Sequence, residues 1–190
     1  MTTEQADAVT TPAPPGGPAR RAAVGTLALV ALLAVGIDLL AKQLVLTNLS
    51  DGHAKRLLGG ALYLDLTRNS GAAFSIGTNM TVIFPIIATA VIVFILVYAR
   101  RVRSIPWAIA FGLVLGGAAG NLIDRLFRAP GPLRGHVVDF ISVFGPYGER
   151  FPIFNLADSA LFCGVVLAIL LEFTGRRRDG TRAVGAREQS

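Results

Sequence analysis

Residues 105–125, IPWAIAFGLVLGGAAGNLIDR, are apolar for most of their length and turn polar only near the end, at Asn121, Asp124 and Arg125. A helix rises about 1.5 Å per residue, so a segment of this length spans the ~30 Å hydrocarbon core of a bilayer. Within it, glycines recur every four positions and allow a second helix to pack closely. The segment therefore predicts a membrane-spanning helix with one small-residue packing face, formed by Gly112, Gly116 and Gly120.

Three further apolar segments have comparable lengths, at Ala22–Leu46, Met80–Ala99 and Ile153–Phe173. The chain as a whole is 53% hydrophobic and 16% charged, with a mean hydropathy of +0.59, which is more apolar than a soluble globular domain. The first segment is too long for a cleaved signal peptide and lacks a clear cleavage site. We therefore predict an all-α membrane protein with four transmembrane helices.

The two ends of the chain differ in composition from this apolar region. Residues 1–19 are rich in Thr, Ala, Pro and Gly and predict a disordered leader, whereas residues 176–190 form a basic tail. Residues 20–175 are predicted to form a single four-span membrane domain.

Arginine clusters indicate how the spans are oriented. Clusters at 20–21, 100–103 and 176–178 all fall on the same side of four spans, so this side and both termini are predicted to be cytoplasmic. The opposite side carries nearly as many basic residues, so the orientation depends on the tightness of the clusters. The net charge of +6 lies in these clusters beside the spans, which argues against a nucleic-acid partner.

The two loops on the opposite side carry their own patterns. Residues 61–67, ALYLDLT, alternate between apolar and polar and predict a half-buried strand of a small sheet on the membrane surface. Residues 127–152 are interrupted by prolines and glycines around one apolar stretch, His136–Phe144.

Aspartates gather at the same side as these loops. Asp38 and Asp124 lie near the outer ends of the first and third spans, and Asp158 lies near the start of the fourth. Asp139 joins them from the second loop. A charge within the hydrocarbon costs at least ~2.5–3.5 kcal/mol, so their convergence indicates a functional site. A proton or ion transporter would instead spread its acids through the membrane depth, and a purely structural subunit would use polar residues only to join helices.

The three acids on predicted helices, Asp38, Asp124 and Asp158, each have a polar neighbour at helical spacing. Asn121 precedes Asp124, and Asn155 precedes Asp158, by three residues. Purely structural interpretations are an N-cap at Asn155 and a local ion pair between Asp124 and Arg125. Asp38 and Lys42 are spaced i, i+4 in the order that favours an ion pair.

The sequence lacks the residue patterns that other catalytic mechanisms require. The only histidines, His53 and His136, form no metal-binding pattern, and no GxSxG motif occurs. A Ser/Lys dyad would have to use Lys42 or Lys55, and neither stands near a serine motif. Two adjacent carboxylates that share a proton remain, and no metal or cofactor is expected. Topology alone leaves open whether Asp124 or Asp139 belongs to the pair.

Five motifs, in this order, resemble those of the bacterial lipoprotein signal peptidases, also called type II signal peptidases. The resemblance covers about residues 22–175. The motifs are Asp38-Leu-Leu-Ala-Lys42, Asn69-Ser-Gly-Ala-Ala-Phe74, Gly116-Gly-Ala-Ala-Gly-Asn-Leu-Ile-Asp-Arg125, His136-Val-Val-Asp-Phe140 and Phe154-Asn-Leu-Ala-Asp158.

The resemblance implies an aspartyl endopeptidase of the bacterial inner membrane that cleaves diacylglyceryl-modified prolipoproteins just before the lipidated cysteine. It implies a site at the extracytoplasmic face, over which the strand region and the second loop, residues 127–152, would form a β-sheet cradle and a flap. It also implies membrane lipid as a partner and a monomeric enzyme. It assigns catalysis to Asp139 and Asp158, and it makes Asp38 and Lys42 structural residues of the first span. The substrate-binding or supporting residues would be Asn69, Gly71, Asn121, Asp124, Arg125 and Asn155.

Overall fold

A computed structural model describes residues 17–71 and 82–182 of the chain. Its helices are α1 (Pro18–Asn48), α2 (Ile83–Ala99), α3 (Ile105–Phe127) and α4 (Leu156–Phe173). Helix α3 packs against each of the other three and forms the centre of the bundle. Most of the predicted leader and the end of the tail lie outside the described residues, although Pro18 and Ala19 already belong to α1.

Three of the helices, α1, α3 and α4, are long and apolar enough to cross a membrane. Helix α2 is apolar but has 17 residues within the described range, and the start of its predicted span at Met80 lies outside that range. Large apolar side chains cover the outside of the bundle, including Leu32 at 72% and Val97 at 68% exposure. An apolar surface of this extent suits lipid rather than water.

The predicted glycine face of α3 packs against α1. A Cβ atom added at Gly116 would lie 2.6 Å from the Cβ of Ala34 and 2.9 Å from the carbonyl oxygen of Ala31. Gly112 meets Val30 of α1 in the same way. On the neighbouring face, Gly117 lies against the backbone of α4, so α3 is held closely between the two helices.

Substituting Gly116 by Ala is expected to lower the free energy of unfolding by about 1–3 kcal/mol, because the added methyl overlaps α1. Thermal unfolding in detergent measures this change. Gly36→Ala is the matched control, since nothing lies within 4 Å of an added Cβ at this helical glycine. It should be stabilising by up to ~1 kcal/mol through helix propensity. Equal effects of the two substitutions would contradict close α1–α3 packing.

A three-stranded antiparallel sheet lies at one end of the bundle, in the order β1 (Lys55–Leu57), β2 (Leu62–Asn69) and β3 (Val137–Val143). The predicted strand at residues 61–67 is confirmed as most of β2. The third strand was not predicted, because residues on both of its faces are buried and its sequence does not alternate. Its Val138 and Phe140 pack on Val45 and Leu49 at the end of α1, which fixes the sheet on the bundle.

Candidate active site

Helix α4 begins with a reciprocal cap that orients Asp158. The Asn155 side chain accepts a hydrogen bond from the Asp158 N–H at 2.9 Å, and the Asp158 carboxylate accepts one from the Asn155 N–H at 3.2 Å. The predicted N-cap is therefore confirmed. The arrangement holds the Asp158 carboxylate at the positive end of the helix dipole.

Asp139 lies on β3 and is almost fully buried, with 2% of its surface exposed. Its carboxylate accepts hydrogen bonds from Asn69 Nδ2 at 2.8 Å and from Asn155 Nδ2 at 2.6 Å. Burial raises the pKa of Asp139 to about 6, and the nearby charge of Asp158 acts in the same direction, while the two amide hydrogen bonds oppose it. This carboxyl can therefore hold or release a proton near neutral pH.

Two asparagines join the carboxylates into one network. Asn121 Nδ2 donates to Asp158 at 2.7 Å, and Asn121 Oδ1 accepts from Asn155 Nδ2 at 3.1 Å. Asn155 in turn contacts both Asp158 and Asp139. Residues from α3, β3 and α4 thus converge as the topology argument predicted.

Asp124 lies in a separate ion-pair cluster behind this network. Its carboxylate pairs with Lys42 Nζ at 2.8 Å and with Arg128, and accepts the Val138 N–H at 3.2 Å. The expected ion pair between Asp124 and Arg125 is wrong, because consecutive helical residues point in different directions. The i, i+4 partner Arg128 was missed, although its spacing from Asp124 was visible in the sequence.

Lys42 connects the ion-pair cluster to the asparagine network. Its ammonium lies 2.7 Å from Asp38, which confirms the predicted pair, and 3.2 Å from Asn121 Oδ1. The other oxygen of Asp38 accepts the Ala157 N–H at 2.9 Å. The fully buried Lys42 therefore links α1 to α3, and its partner Asp38 links α1 to the start of α4.

Arg125 and Gly71 lie at the edge of the site. Arg125 Nη1 donates to the carbonyl oxygens of Asn69 and Gly135, both at 3.2 Å, and its guanidinium lies 5.6 Å from the centre of the Phe84 ring. Gly71 has a φ of +99°, and an added Cβ there would lie 2.9 Å from the Phe84 ring. Phe84 was not identified from the sequence and has no distinguishing pattern there.

A cavity of about 290 Å³ opens beside these groups, between α2, α3 and α4. Its polar side is formed by Asn69, Asn121, Arg125, Asp139 and Asp158. Its remaining wall is largely apolar and comes mainly from α2, α3 and α4, through Phe84, Ile87, Val91, Ala118, Leu122 and Leu161. Residues 129–135 of the second loop pack against the end of α3 and do not line the cavity. The flap therefore stays a prediction.

The apolar helices and this site define a helical membrane protein. Its largely apolar cavity is lined by two carboxyl groups, those of Asp139 and Asp158, which share Asn155 as a hydrogen-bonding partner. Two solved structures, both described as bacterial membrane enzymes, share the fold. One has a TM-score of 0.69 at 30% identity and covers 85% of this chain and 95% of its own. The other has a TM-score of 0.67 at 33% identity and covers 78% and 92%.

Sequence comparison identifies the family. Residues 30–174 match the family model described as signal peptidase (SPase) II. A lipoprotein signal peptidase of Streptomyces coelicolor is 49% identical over 158 residues, which is 83% of this chain and 75% of the relative. One of Mycobacterium avium is 42% identical over 178 residues, or 94% and 92%. The chain belongs to the signal peptidase II family and is a peptidase.

Proposed function

We propose that this protein is an aspartyl endopeptidase that removes signal peptides from diacylglyceryl-modified prolipoproteins, cleaving just before the lipidated cysteine. The observation that carries the proposal is that Asp139 and Asp158 line one cavity and share Asn155 as a hydrogen-bonding partner. The names of the relatives support the substrate class, since both are lipoprotein signal peptidases. No cofactor is needed for this chemistry.

In the proposed mechanism Asp139 carries the proton and Asp158 is ionised. Asp158 takes a proton from a water molecule, whose oxygen attacks the scissile carbonyl carbon, while Asp139 donates its proton to the carbonyl oxygen. Asp158 then passes its proton to the leaving amide nitrogen as the C–N bond breaks, and Asp139 regains a proton from the tetrahedral intermediate. The raised pKa of Asp139 supports its role as the proton carrier.

The surrounding polar residues are proposed to position the dyad and the substrate. Asn121 and Asn155 orient the two carboxyl groups, and Asn69 holds Asp139. Arg125 and Gly71 line the same cavity as the two carboxyl groups, where they could contact the substrate backbone, and the absence of a side chain at Gly71 lets the Phe84 ring pack against it.

The proposed setting is the bacterial cytoplasmic membrane, crossed four times by a monomer with both termini in the cytoplasm. The cavity then opens at the extracytoplasmic face, beneath the sheet. Its apolar wall on α2 suits the acyl chains or the apolar part of a signal peptide, so partitioning into the bilayer would supply much of the substrate binding. Asp38, Asp124, Asp139 and Asp158 lie at one end of the bundle, which does not favour a proton relay across the membrane.

A cleavage assay tests this function directly. Purified protein in detergent is incubated with a diacylglyceryl-modified prolipoprotein and with the same chain lacking the lipid, and products are separated by gel shift. We expect cleavage of the lipidated form only, on the N-terminal side of the modified cysteine. Equal cleavage of both forms would contradict the substrate class, and no cleavage by folded protein would contradict the function.

The pH dependence of kcat/KM tests the protonation states. Asp139 must keep its proton, so kcat/KM is expected to fall as the pH rises through the pKa of about 6. The Asn69 hydrogen bond stabilises the ionised form of Asp139. Asn69→Ala is therefore expected to raise this pKa and move the decline to higher pH, by about one unit. A shift to lower pH would contradict Asp139 as the proton carrier.

A further inference from the structure

The chain beyond α4 forms a small hairpin, residues 175–182, which we call the C-terminal hairpin. Arg176 and Arg182 make an antiparallel bridge, and the Arg177 N–H donates to the Thr181 carbonyl oxygen at 2.9 Å. The Asp179 carboxylate accepts hydrogen bonds from the N–H and the hydroxyl of Thr181 at 2.9 and 2.7 Å. This part of the predicted basic tail is therefore folded.

The hairpin packs against the turn between α2 and α3, at the end of the bundle opposite Asp139 and Asp158. The Arg178 carbonyl oxygen accepts the N–H groups of Arg103 and Ser104 at 2.9 and 3.1 Å. Trp107 Nε1 donates to the Arg176 carbonyl oxygen at 2.8 Å, and the Arg178 guanidinium lies 4.8 Å from the centre of the Trp107 ring. These contacts give the hairpin arginines defined positions.

Two cavities flank the hairpin, with volumes of about 520 and 370 Å³, and arginines dominate their linings. Among residues 17–71 and 82–182, the only carboxylates that line the cavities are those of Glu172, which pairs with Arg178 at 3.0 Å, and Asp179, which accepts hydrogen bonds from Thr181. Within the part of the chain that the structure describes, Arg178 is the only lining arginine in a salt bridge. The arginines that line the two cavities are Arg101, Arg103, Arg176, Arg177, Arg178 and Arg182.

An apolar surface adjoins these cavities on the membrane side. Phe94 and Val97 of α2, and Leu170 and Phe173 of α4, are all exposed and lie within about two turns of the arginines. Phe173 lies two residues before the hairpin and is 86% exposed. The region therefore has arginine side chains next to exposed apolar side chains.

We propose that this arginine-lined end of the bundle binds an anionic phospholipid of the adjacent leaflet. The guanidinium groups would take the phosphate, since arginine matches its oxygens in a forked geometry, and basic pockets between helix ends bind anionic headgroups. The exposed side chains of α2 and α4 would contact the acyl chains. A soluble phosphate or a nucleic acid would use the charge and leave this apolar surface uncovered. The binding is independent of the cleavage reaction.

Trp107 is the only tryptophan of the chain and contacts the hairpin, so it reports on this site. The full-length protein in neutral detergent is titrated with phosphatidylglycerol carrying brominated acyl chains, which quench tryptophan fluorescence, and with brominated phosphatidylcholine. We expect saturable quenching by phosphatidylglycerol at concentrations at least tenfold below those for phosphatidylcholine. Arg101→Gln combined with Arg177→Gln is expected to weaken phosphatidylglycerol binding about 25-fold, roughly fivefold for each arginine.

The matched control is Arg21→Gln combined with Arg100→Gln. It removes the same charge from the same end of the bundle, from exposed residues that do not line either cavity. It is expected to weaken binding less than about threefold, as screened exposed charges do. An unchanged Trp107 emission maximum without lipid checks that the hairpin stays in place. Equal weakening by both double variants, equal quenching by both lipids, or displacement by inorganic phosphate at the lipid's own concentration would overturn the proposal.

Discussion

Asp139→Asn is expected to lower kcat/KM for lipidated prolipoprotein by a factor of about 1,000 or more, with Asp158→Asn causing a similar loss. Both losses follow from the proposed mechanism, since an amide can neither accept the proton of water nor donate one to the carbonyl oxygen. The double substitution should be little worse than either single one, because the two carboxyl groups act as a unit. Gel-shift cleavage rates at several substrate concentrations measure these effects.

Asp65→Asn provides a matched control for this chemical change. Asp65 is also a buried aspartate, at 4% exposure, and it accepts the Tyr147 N–H at 2.7 Å, an interaction that an asparagine oxygen preserves. It does not line the cavity, so cleavage should stay close to wild type. In Asp139→Asn the new amide faces the amides of Asn69 and Asn155, so Asp139→Ala is included to remove that donor–donor contact.

Asp124→Asn tests whether Asp124 or Asp139 is the second catalytic carboxyl group, a choice that topology alone leaves open. If folded Asp124→Asn protein lost cleavage while Asp139→Asn or Asp139→Ala retained it, the dyad assignment would be wrong. The structure favours Asp139, because Asp124 contacts Lys42 and Arg128 and is absent from the cavity lining.

Hydrophobic length and small-residue spacing predict the bundle well. The segment around Gly116 predicts both the central helix and its contact with α1, since a transmembrane helix needs apolar length and a close approach needs glycine. The cap at Asn155 and the Asp38–Lys42 pair were likewise predicted, because both depend on residues close in sequence. The Asp124–Arg128 pair has the same i, i+4 spacing and was missed, so short spacing favours a contact without identifying every partner.

Contacts between distant elements were harder to predict. Strand β3 has no alternation because both of its faces are covered, so the position of Asp139 on a strand beside α4 was not foreseen. Lys42 also bonds to Asn121, which is 79 residues away, and no spacing rule relates two such residues. The motif resemblance supplied the choice of Asp139, and the geometry now gives it a physical basis in burial and shared hydrogen bonds.

Lys42→Met is expected to destabilise the protein by about 3–5 kcal/mol, the usual cost of leaving a buried charge without its partner. The ammonium is fully buried between Asp38 and Asp124 at 2.7 and 2.8 Å, and methionine matches its volume without its charge. Denaturant or thermal unfolding in detergent measures the loss. Lys55→Met is the control, because the Lys55 side chain is exposed and its bond to the Asn48 carbonyl oxygen is accessible to water, so it should change stability by less than ~0.5 kcal/mol.

A second substitution distinguishes lost charge pairing from lost packing. Asp38→Asn in the Lys42→Met background removes the carboxylate that is left without a cation, since Asp124 still pairs with Arg128, and the asparagine can still accept the Ala157 N–H. It should therefore recover part of the lost stability, although Asp38→Asn alone is destabilising. Additive losses would indicate that Lys42 acts by shape alone. Because Lys42 also holds Asn121, which orients Asp158, cleavage by the folded fraction of Lys42→Met should be slower than wild type, whereas a purely structural lysine would leave that rate unchanged.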